Sequence, residues 1–517
     1  MQGGNRLNRI IALMLCAIML LGLAGCAADD DPYVPTGDAL DIGNTPQTPE
    51  TPSQPQRLVM VYNPEKSLNP YTCTDFTNRA LFSLLYQGLF AVDRDYNVAP
   101  LLCDRYSVSP DMKTYTFYPA AATFSDGAKL TAADVVASLN AAENSAYYSG
   151  RFQHISSIAA DGDGVVIKLD TPCENLPLLL DIPIVKASQV ANAAPLGTGP
   201  YIWGEALSGK CLKRTALWWC QTTHPITADL IPLEEGTSPD LIRDAFLYSD
   251  VSIVCTDPGS DTYADYHSDY EIWDSENGLF VYLVTNSTSP VFSIDSIRQT
   301  LTHAINRDLL VSDLDFYRGF ARSATLPASP LSPVYNASLA ERYGYDRDKF
   351  TAAVEEAGKT GAEIVMIVNS DDSLRLRAAR QVEKMLEDCG LKVKLEAMGS
   401  TAFVKRLKAG TYDLYMAQTK LSANMDLSAF FAKKGSLNYG GLSDTATYTL
   451  CMEALANSGN FYNLHKLVME DGQLCPILFR SYAIYSARGL VTDLDTARDN
   501  LFYYDIGKTM ADALIKA

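Results

Sequence analysis

Apolar and polar blocks alternate most regularly between residues 363 and 417. Two short apolar runs, with an alternating apolar and polar segment between them, are separated by two amphipathic segments that end at Gly390 and Gly410. The alternation also predicts a strand. Short apolar runs predict buried strands, and apolar residues spaced three or four apart predict helices. The predicted order is therefore β-α-β-α-β, the unit of an open and mostly parallel sheet. Its elements are EIVMIV (363–368), LRLRAARQVEKMLEDCG (374–390), LKVKLEAM (391–398), STAFVKRLKAG (400–410) and YDLYMA (412–417).

The polar stretch QTKLSANMD (418–426) follows the last of these strands. In open α/β sheets, ligands bind in the crevice beyond the carboxyl ends of the strands, so we expect this stretch to be a loop that contacts a ligand. If the chain is extended, Lys420, Ser422 and Asn424 face the same side. Asp426 shares that side only if the extension continues, and the alternative is that it caps the helix beginning LSAFF.

The same periodicities predict further elements along the chain. Asp75 is placed to cap a helix through FTNRALFSLLYQGLF, and Thr131 with Asp134 forms an acidic variant of the capping box. One continuous helix is predicted for 294–310, where apolar residues recur on one face. Two glycines and two prolines in PLGTGPY (195–201) predict a loop. Other predicted strands are LVMVY (58–62), KTYTFYP (113–119) and VVIKL (165–169).

The first residues have the layout of a secretory signal. Arg6 and Arg9 precede an apolar run that ends in LAGC at Cys26. This motif resembles a bacterial lipobox, in which the cysteine is lipidated and becomes the first residue, so we expect a signal peptide at 1–25. An ordinary signal or an uncleaved anchor is the alternative. The proline-rich residues 26–56 predict a disordered tether to the membrane.

Composition and charge narrow the class of protein. With 517 residues, 47% of them hydrophobic, the chain is long enough for two or three domains. Removal of the signal takes away two arginines and changes the formal net charge from −19 to −21. Such acidity, without a basic stripe, argues against nucleic acid as a partner. Nine cysteines remain beyond the lipobox, and their odd number without a Cys-x-x-Cys motif argues against a disulfide scaffold or a zinc ribbon.

Motifs of a secreted enzyme are absent from the sequence. GEALSGKC (204–211) is close to a phosphate-binding loop, but its last residue is cysteine where serine or threonine is needed. The chain contains neither G-x-S-x-G nor H-E-x-x-H, and its five histidines are scattered. A Ser-His-Asp set that is close only in space stays open as an alternative.

Several consecutive blocks resemble the family 5 extracellular solute-binding proteins, the peptide- and nickel-type receptors of ABC importers. The first blocks are SLNPYTCTDFTNRALFSLLYQGLF and APLLCDRYSVSPDMKTYTFYPAAATFSDGAKLTAADVVASL. GTGPY, FVYLVTNSTSPVFSIDSIRQTLTHAINRDLLV and YGYDRDKFTAAVEEAG follow in family order, and CPILFRSYAIYSARGLV comes last. The resemblance extends from about residue 57 to the end of the chain.

The resemblance implies an α/β protein of the type II periplasmic-binding-protein kind, with two lobes and an extra subdomain inserted in lobe one. Strands near FVYLVTN and CPILFR would cross between the lobes as a hinge. By block position, lobe one would comprise 57–90, 196–288 and 470–517, the inserted subdomain about 91–195, and lobe two about 289–469.

The implied function is capture of a small solute, an oligopeptide or peptide-like molecule, between the lobes and its delivery to ABC permease subunits. Such a receptor would be a monomer, anchored by lipid on the extracytoplasmic face of the cell membrane. It would have no catalytic residues, no cofactor and no metal site. A lipid-anchored hydrolase, or a solute sensor that is not coupled to import, is the alternative.

The sequence departs from the peptide receptors at one informative place. In those receptors a W-x-A-D-Y-x-x-P segment supplies an aspartate for the α-ammonium of the peptide. Alignment on Phe430–Phe431 places Ala423 at that aspartate and Lys420 at the tryptophan. Alanine cannot neutralise a buried ammonium, so peptide binding through that ion pair is not expected unless Asp426 replaces it. The candidate ligand-binding residues are Thr72 and Cys73, in the first block, with Lys420, Ser422, Asn424 and Asp426.

Overall fold

The computed structural model describes residues 57–216, 218–220, 228–259, 266, 270–313, 315–491, 494–498 and 500–502. The predicted signal peptide, the lipidation site at Cys26 and the tether lie outside the described residues. No helix in the described part of the chain is both long enough and apolar enough to span a membrane. No disulfide joins the described cysteines.

Strands and helices both occur throughout the described chain, and they alternate one by one between residues 363 and 431. The strands are β1 (Met60–Tyr62), β2 (Phe90–Val92), β3 (Val98–Pro100), β4 (Cys103–Val108), β5 (Thr114–Pro119), β6 (Ile155–Asp161), β7 (Gly164–Leu169), β8 (Tyr201–Ala206), β9 (Gly209–Arg214), β10 (Leu230–Glu235), β11 (Ile253–Thr256), β12 (Tyr270–Thr285), β13 (Ala321–Ser323), β14 (Glu363–Asn369), β15 (Lys392–Met398), β16 (Leu414–Lys420) and β17 (Leu474–Ala487). The α-helices are α1 (Phe76–Arg79), α2 (Phe82–Leu85), α3 (Ala132–Glu143), α4 (Pro239–Leu247), α5 (Asp295–Ala304), α6 (Arg307–Ser312), α7 (Ala337–Ala340), α8 (Arg347–Glu356), α9 (Ser373–Asp388), α10 (Ser400–Ala409), α11 (Ser428–Phe431), α12 (Thr445–Ala456) and α13 (Phe461–Asp471).

The largest sheet has seven strands and contains the predicted β-α-β-α-β unit. Its main order is β11-β17-β12-β16-β14-β15, and β13 pairs with β17. Strand β14 runs parallel to both β15 and β16, as the sequence pattern predicted for this unit. The prediction of a mostly parallel sheet is wrong, because the long strands β12 and β17 pair antiparallel with each other and with β11, β13 and β16. The two longest strands, β12 and β17, are antiparallel neighbours at the centre of this sheet. They contain FVYLVTN and CPILFR, whose role as a hinge stays a prediction.

Two four-stranded sheets lie in the first half of the chain. One has the order β1-β10-β9-β8, in which β1 and β10 are parallel. The other, β4-β5-β7-β6, is antiparallel throughout and falls in the segment predicted as the inserted subdomain. The GEALSGKC segment forms the β8–β9 hairpin, so it has the wrong structure for a phosphate-binding loop.

Separate apolar cores support the two-lobed architecture. One large cluster draws on residues between Leu58 and Ile253 and on the chain around 484–502. Two others, on opposite faces of the seven-stranded sheet, draw mainly on residues between Phe280 and Phe479. The chain is therefore an α/β protein with two lobes, while the residue boundaries of the lobes and of the insert stay predictions.

Two of the predicted helices are interrupted. The helix expected over 294–310 is two helices, because Ile305 is extended and Asn306 caps α6 by accepting the N–H of Leu309 at 3.1 Å. The helix expected after Asp75 is also two short helices, although Asp75 caps α1 as predicted. Gln87 leaves the helix to form a bridge with Ile184, a tertiary contact that periodicity does not reveal.

Candidate functional site

Three cavities meet at the side chain of Tyr147, and together we call them the central cleft. They enclose about 640, 530 and 870 Å³, including space open to solvent. Tyr147 lines all three, and Arg79 lines the two smaller ones. The largest cavity is also lined by Lys420, Ser422 and Asp426, three of the candidate ligand-binding residues. The cleft therefore brings together residues that lie far apart in the sequence.

Two cations stack on the Tyr147 ring. The Arg79 guanidinium lies 3.2 Å from the ring centroid, and the Lys420 ammonium lies 4.0 Å from it. Lys420 also donates a hydrogen bond of 2.6 Å to the Tyr147 hydroxyl. Arg79 closes α1, whereas Lys420 ends β16, so the ring connects two separate elements. Cation–π contacts of this kind are worth up to about 2 kcal/mol when they are desolvated, which favours a fixed ring position.

The segment after β16 differs from the extended loop that the sequence suggested. Gln418–Lys420 belong to the strand, where Lys420 pairs with Leu279. The chain then turns, because the N–H of Met425 donates to the carbonyl of Ser422 at 3.0 Å. The extended chain on which the prediction for Lys420, Ser422 and Asn424 depended is therefore interrupted after Lys420, although the Ser422 hydroxyl still donates to the side-chain oxygen of Asn424 at 2.7 Å. Ser422 lines the large cavity, whereas Asn424 is buried with its amide 4.0 Å from the sulfur of Cys173.

Asp426 contacts one side chain and one backbone group. One carboxylate oxygen lies 3.0 Å from Nε2 of His154, and the other accepts the N–H of Ser428 at 2.8 Å. The second contact holds the start of α11, which partly agrees with the capping alternative, although the cap position itself is Leu427. Gln153 donates to the hydroxyl of Ser428 at 2.6 Å. Residues 147–154 thus contact residues 420–428 at several points.

The Asp426 carboxylate also changes the protonation of His154. Burial alone lowers the pKa of this imidazole, but the hydrogen bond and charge of Asp426, and the charge of Asp170, more than offset it. The net effect is a pKa above the usual 6.5. Nδ1 of His154 lies 3.4 Å from Asp170, so carboxylates face both ring nitrogens.

The other two candidate residues lie outside the cleft walls. Thr72 is exposed, and Cys73 is buried with its thiol 3.5 Å from the carbonyl of Asp75. Burial raises the pKa of the Cys73 thiol, so it stays protonated near neutral pH. Neither residue lines any of the three cavities. Their role in ligand binding stays a prediction.

Sequence reasoning did not select Arg79, Tyr147, Gln153 or His154. Gln153 and Ser428 are 275 positions apart, and no periodicity or motif connects such distant residues. A weak signal was available, since Arg79 and Tyr147 both lie in segments with several aromatic residues. No group of three or more His, Cys, Asp or Glu side chains within the described ranges is arranged to hold a metal ion.

Comparisons with known proteins show the family to which the chain is similar. The profile of the family described as bacterial extracellular solute-binding proteins, family 5 Middle, matches residues 97–439. The glutathione-binding protein GsiB of Salmonella choleraesuis (strain SC-B67) is 27% identical over 361 residues, which are 64% of this chain and 67% of the relative. GsiB of Escherichia coli (strain K12) is 26% identical over 352 residues, with the same shares.

Solved structures show the same fold. NikA from Brucella suis in complex with Fe(III)-EDTA has a TM-score of 0.69 at 19% identity, covering 88% of this chain and 99% of that one. AppA from Clostridium difficile has a TM-score of 0.70 at 17% identity with the same coverage. These likenesses confirm the two-lobed α/β fold that the sequence predicted.

Proposed function

Because the chain belongs to the family 5 bacterial extracellular solute-binding proteins, we propose that it captures a peptide or peptide-like solute for an ABC importer. The family match over residues 97–439 is the observation that carries this proposal. GsiB, a relative over 361 residues, is a glutathione-binding protein, and glutathione is itself a tripeptide. The solute would bind in the central cleft and pass from there to the membrane permease.

Within the cleft, Lys420, Ser422 and Asp426 are the proposed polar contacts for the solute. All three line the 870 Å³ cavity, which is partly open to solvent. Lys420 would face a carboxylate or another acceptor by turning from the Tyr147 hydroxyl. Asn424, Thr72 and Cys73 have less support, because none of them lines the described cavities.

Recognition of a peptide α-ammonium is proposed to differ from that of the peptide receptors. Ala423, at the position of their aspartate, is 3% exposed and packs in an apolar cluster. Asp426 is the nearest carboxylate in the sequence, and one of its oxygens already lies 3.0 Å from Nε2 of His154. An unpaired ammonium buried beside Ala423 would be costly, so the solute's amine, if it has one, is expected to bind elsewhere or to displace His154.

The proposed location is the outer face of the cell membrane, with Cys26 carrying the lipid. LAGC supports this proposal, and the test is a Cys26→Ser variant. That variant should leave the detergent phase and appear in the medium or as an uncleaved precursor. Detergent partitioning that does not change would contradict the lipid anchor.

A panel of solutes tests the function against the hydrolase alternative. Di- and tripeptides and glutathione would be added singly while the melting temperature and the solute concentration are followed. A binding protein should be stabilised by about 2.7 kcal/mol at 100 times Kd and should leave the solute intact. Conversion of a stabilising solute into products would contradict the proposal.

A further inference from the structure

The 530 Å³ cavity has an aromatic wall that the proposed function does not use. The rings of Phe76, Tyr147 and Tyr482 line it, and all three are partly exposed. The centroids of Phe76 and Tyr482 are 4.0 Å apart, with their planes inclined by 40°. Aromatic rings usually bury most of their area, so three of them facing one cavity form a surface to which an apolar group can bind.

Tyr482 is partly exposed in the interior of its strand, β17. All the other residues of β17 from Leu474 to Ser486 are buried, so the strand is covered on both faces of the sheet. Tyr482 projects beyond this packed region against Phe76, which belongs to α1. Exposure at one position of an otherwise buried central strand is favourable where a ligand covers the exposed ring.

The remaining lining is small and carries little charge. Ala80, Cys255 and Leu501 complete the apolar part, and the described residues lining this cavity include no carboxylate. The cation that reaches the cavity is Arg79, whose guanidinium stacks on the Tyr147 ring. Tyr147 separates this cavity from the polar one that contains Lys420 and Asp426. A mainly apolar compartment, to which Thr74, Ser275 and Asn500 add uncharged polar groups, and a polar compartment thus share one wall.

We propose that the pocket of Phe76, Tyr147 and Tyr482 receives an apolar, ring-sized group of the solute, whose polar remainder lies against Lys420, Ser422 and Asp426. The imported molecule is therefore amphipathic, such as a short peptide with an aromatic or branched aliphatic side chain. This inference rests on the proposed function for the identity of the solute. The existence of the pocket as a binding site is independent of that function.

The first experiment measures the pocket directly with 5-fluoroindole as the probe, by fluorine NMR on the purified full chain. Saturable binding is expected for the native protein. Ala80→Leu places a larger side chain in the cavity and should weaken binding by about tenfold or more, the effect of excluding a ring from an apolar site. Tyr482→Ala removes part of the wall and should weaken binding about fivefold, within the range for loss of an aromatic contact.

The matched control is Tyr248→Ala, which removes an aromatic ring that is 79% exposed. It should bind the probe as the native protein does. If Ala80→Leu does not fold, as judged by its melting curve, the affinity of Tyr482→Ala for 5-fluoroindole is a sufficient test of the pocket. Absence of saturable binding to the native protein, or equal affinity in Tyr482→Ala and Tyr248→Ala, would overturn the proposal.

The second experiment links the pocket to the solute by comparing Ala-Phe-Ala with Ala-Ala-Ala. The native protein should prefer the phenylalanine peptide by about tenfold, and Ala80→Leu or Tyr482→Ala should reduce that preference. Equal binding of the two peptides would overturn the inference. If neither peptide binds while 5-fluoroindole does, the peptide-like solute of the proposed function is contradicted, and the apolar pocket stands.

Discussion

The two contacts of Asp426 can be separated by two substitutions. The carboxylate is 8% exposed and its partner His154 is 15% exposed, so the ion pair is only weakly screened by water. Asp426→Asn keeps an acceptor for the N–H of Ser428 but removes the charge. Asp426→Ala removes both contacts. We expect Asp426→Asn to lower the unfolding free energy by about 1 kcal/mol and Asp426→Ala to lower it by about 2 kcal/mol. Urea titrations measure both values.

A double-mutant cycle with His154→Gln isolates the pair. The coupling energy between positions 154 and 426 should be about 0.5 kcal/mol or more in the stabilising direction. The same variants test the proposed contact with the solute, since loss of a ligand contact lowers affinity by more than the loss of a cap does. A coupling energy near zero would show that the 3.0 Å contact does not stabilise the fold.

His154 and His303 should give opposite pH dependences. The raised pKa of His154 means that its stabilisation is fully present below the unfolded value of 6.5 and is lost as the pH rises through the folded value. For His303, burial chiefly lowers the pKa, so this residue destabilises the fold as the pH falls below 6.5.

The stability lost by His154→Gln should therefore be larger at about pH 5.5 than at about pH 8.5, whereas His303→Gln should show the reverse order. Urea unfolding at both pH values measures the differences. An identical pH dependence of the two variants would contradict the assigned directions.

At the residue scale, the sequence predicted contacts between residues a few positions apart but not contacts between residues far apart in the chain. Asp75 accepts the N–H of Asn78, and the carboxylate of Asp134 accepts the N–H of Thr131, both as predicted. These partners are three residues apart, so the sequence contains the whole interaction. His154 and Asp426 are 272 positions apart, and only the folded chain brings them together.

At the scale of elements, the β-α-β-α-β unit followed from periodicity because its elements have regular apolar faces, which are buried in β14 and β16 and half-buried in β15. The segment after β16 did not, because its shape depends on contacts with other parts of the chain. Asn424 turns inward toward Cys173, and Met425 has a positive φ of 55°. A non-glycine residue in this region indicates a turn that the surrounding packing imposes, which a local pattern cannot predict.

The GTGPY loop illustrates how an element is positioned by close backbone approach. A Cβ atom at Gly199 would lie 2.4 Å from the carbonyl oxygen of Leu84 and 2.5 Å from the carbonyl carbon of Leu85, which belong to α2. Neither backbone atom can move without displacing the helix. We expect Gly199→Ala to lower the unfolding free energy by about 2–4 kcal/mol, as other core overpacking does.

Gly150→Ala is the matched control for this substitution. A Cβ atom at Gly150 would meet nothing within 4 Å, and its φ lies outside the left-handed region. This variant should be neutral or slightly more stable, because alanine restricts the unfolded chain. Similar losses of unfolding free energy in the two variants would contradict the steric account of the loop.

At the scale of the whole molecule, β12 and β17 connect the separate cores. Trp273 of β12 and Ile484 of β17 belong to the first core, whereas Val281 and Leu478 of the same strands belong to the second. Two continuous strands that pass between cores are suited to a hinge, and the central cleft lies beside them at Tyr482. The family blocks in the sequence predicted this architecture, and the segment after β16 contains three predicted residues that line the cleft, but Arg79 and Tyr147 were not predicted to line it.

Native mass spectrometry of the folded protein, purified from cells grown in peptide-rich medium, tests the central claim most directly. Solute-binding proteins bury most of their ligand, so the native chain should retain one small solute that is released on unfolding. Tyr147→Ala, which opens all three cavities, should retain much less of it, whereas Tyr106→Ala, 45% exposed, should retain it fully. Retention of the same solute by Tyr147→Ala at the native level would contradict binding in the central cleft.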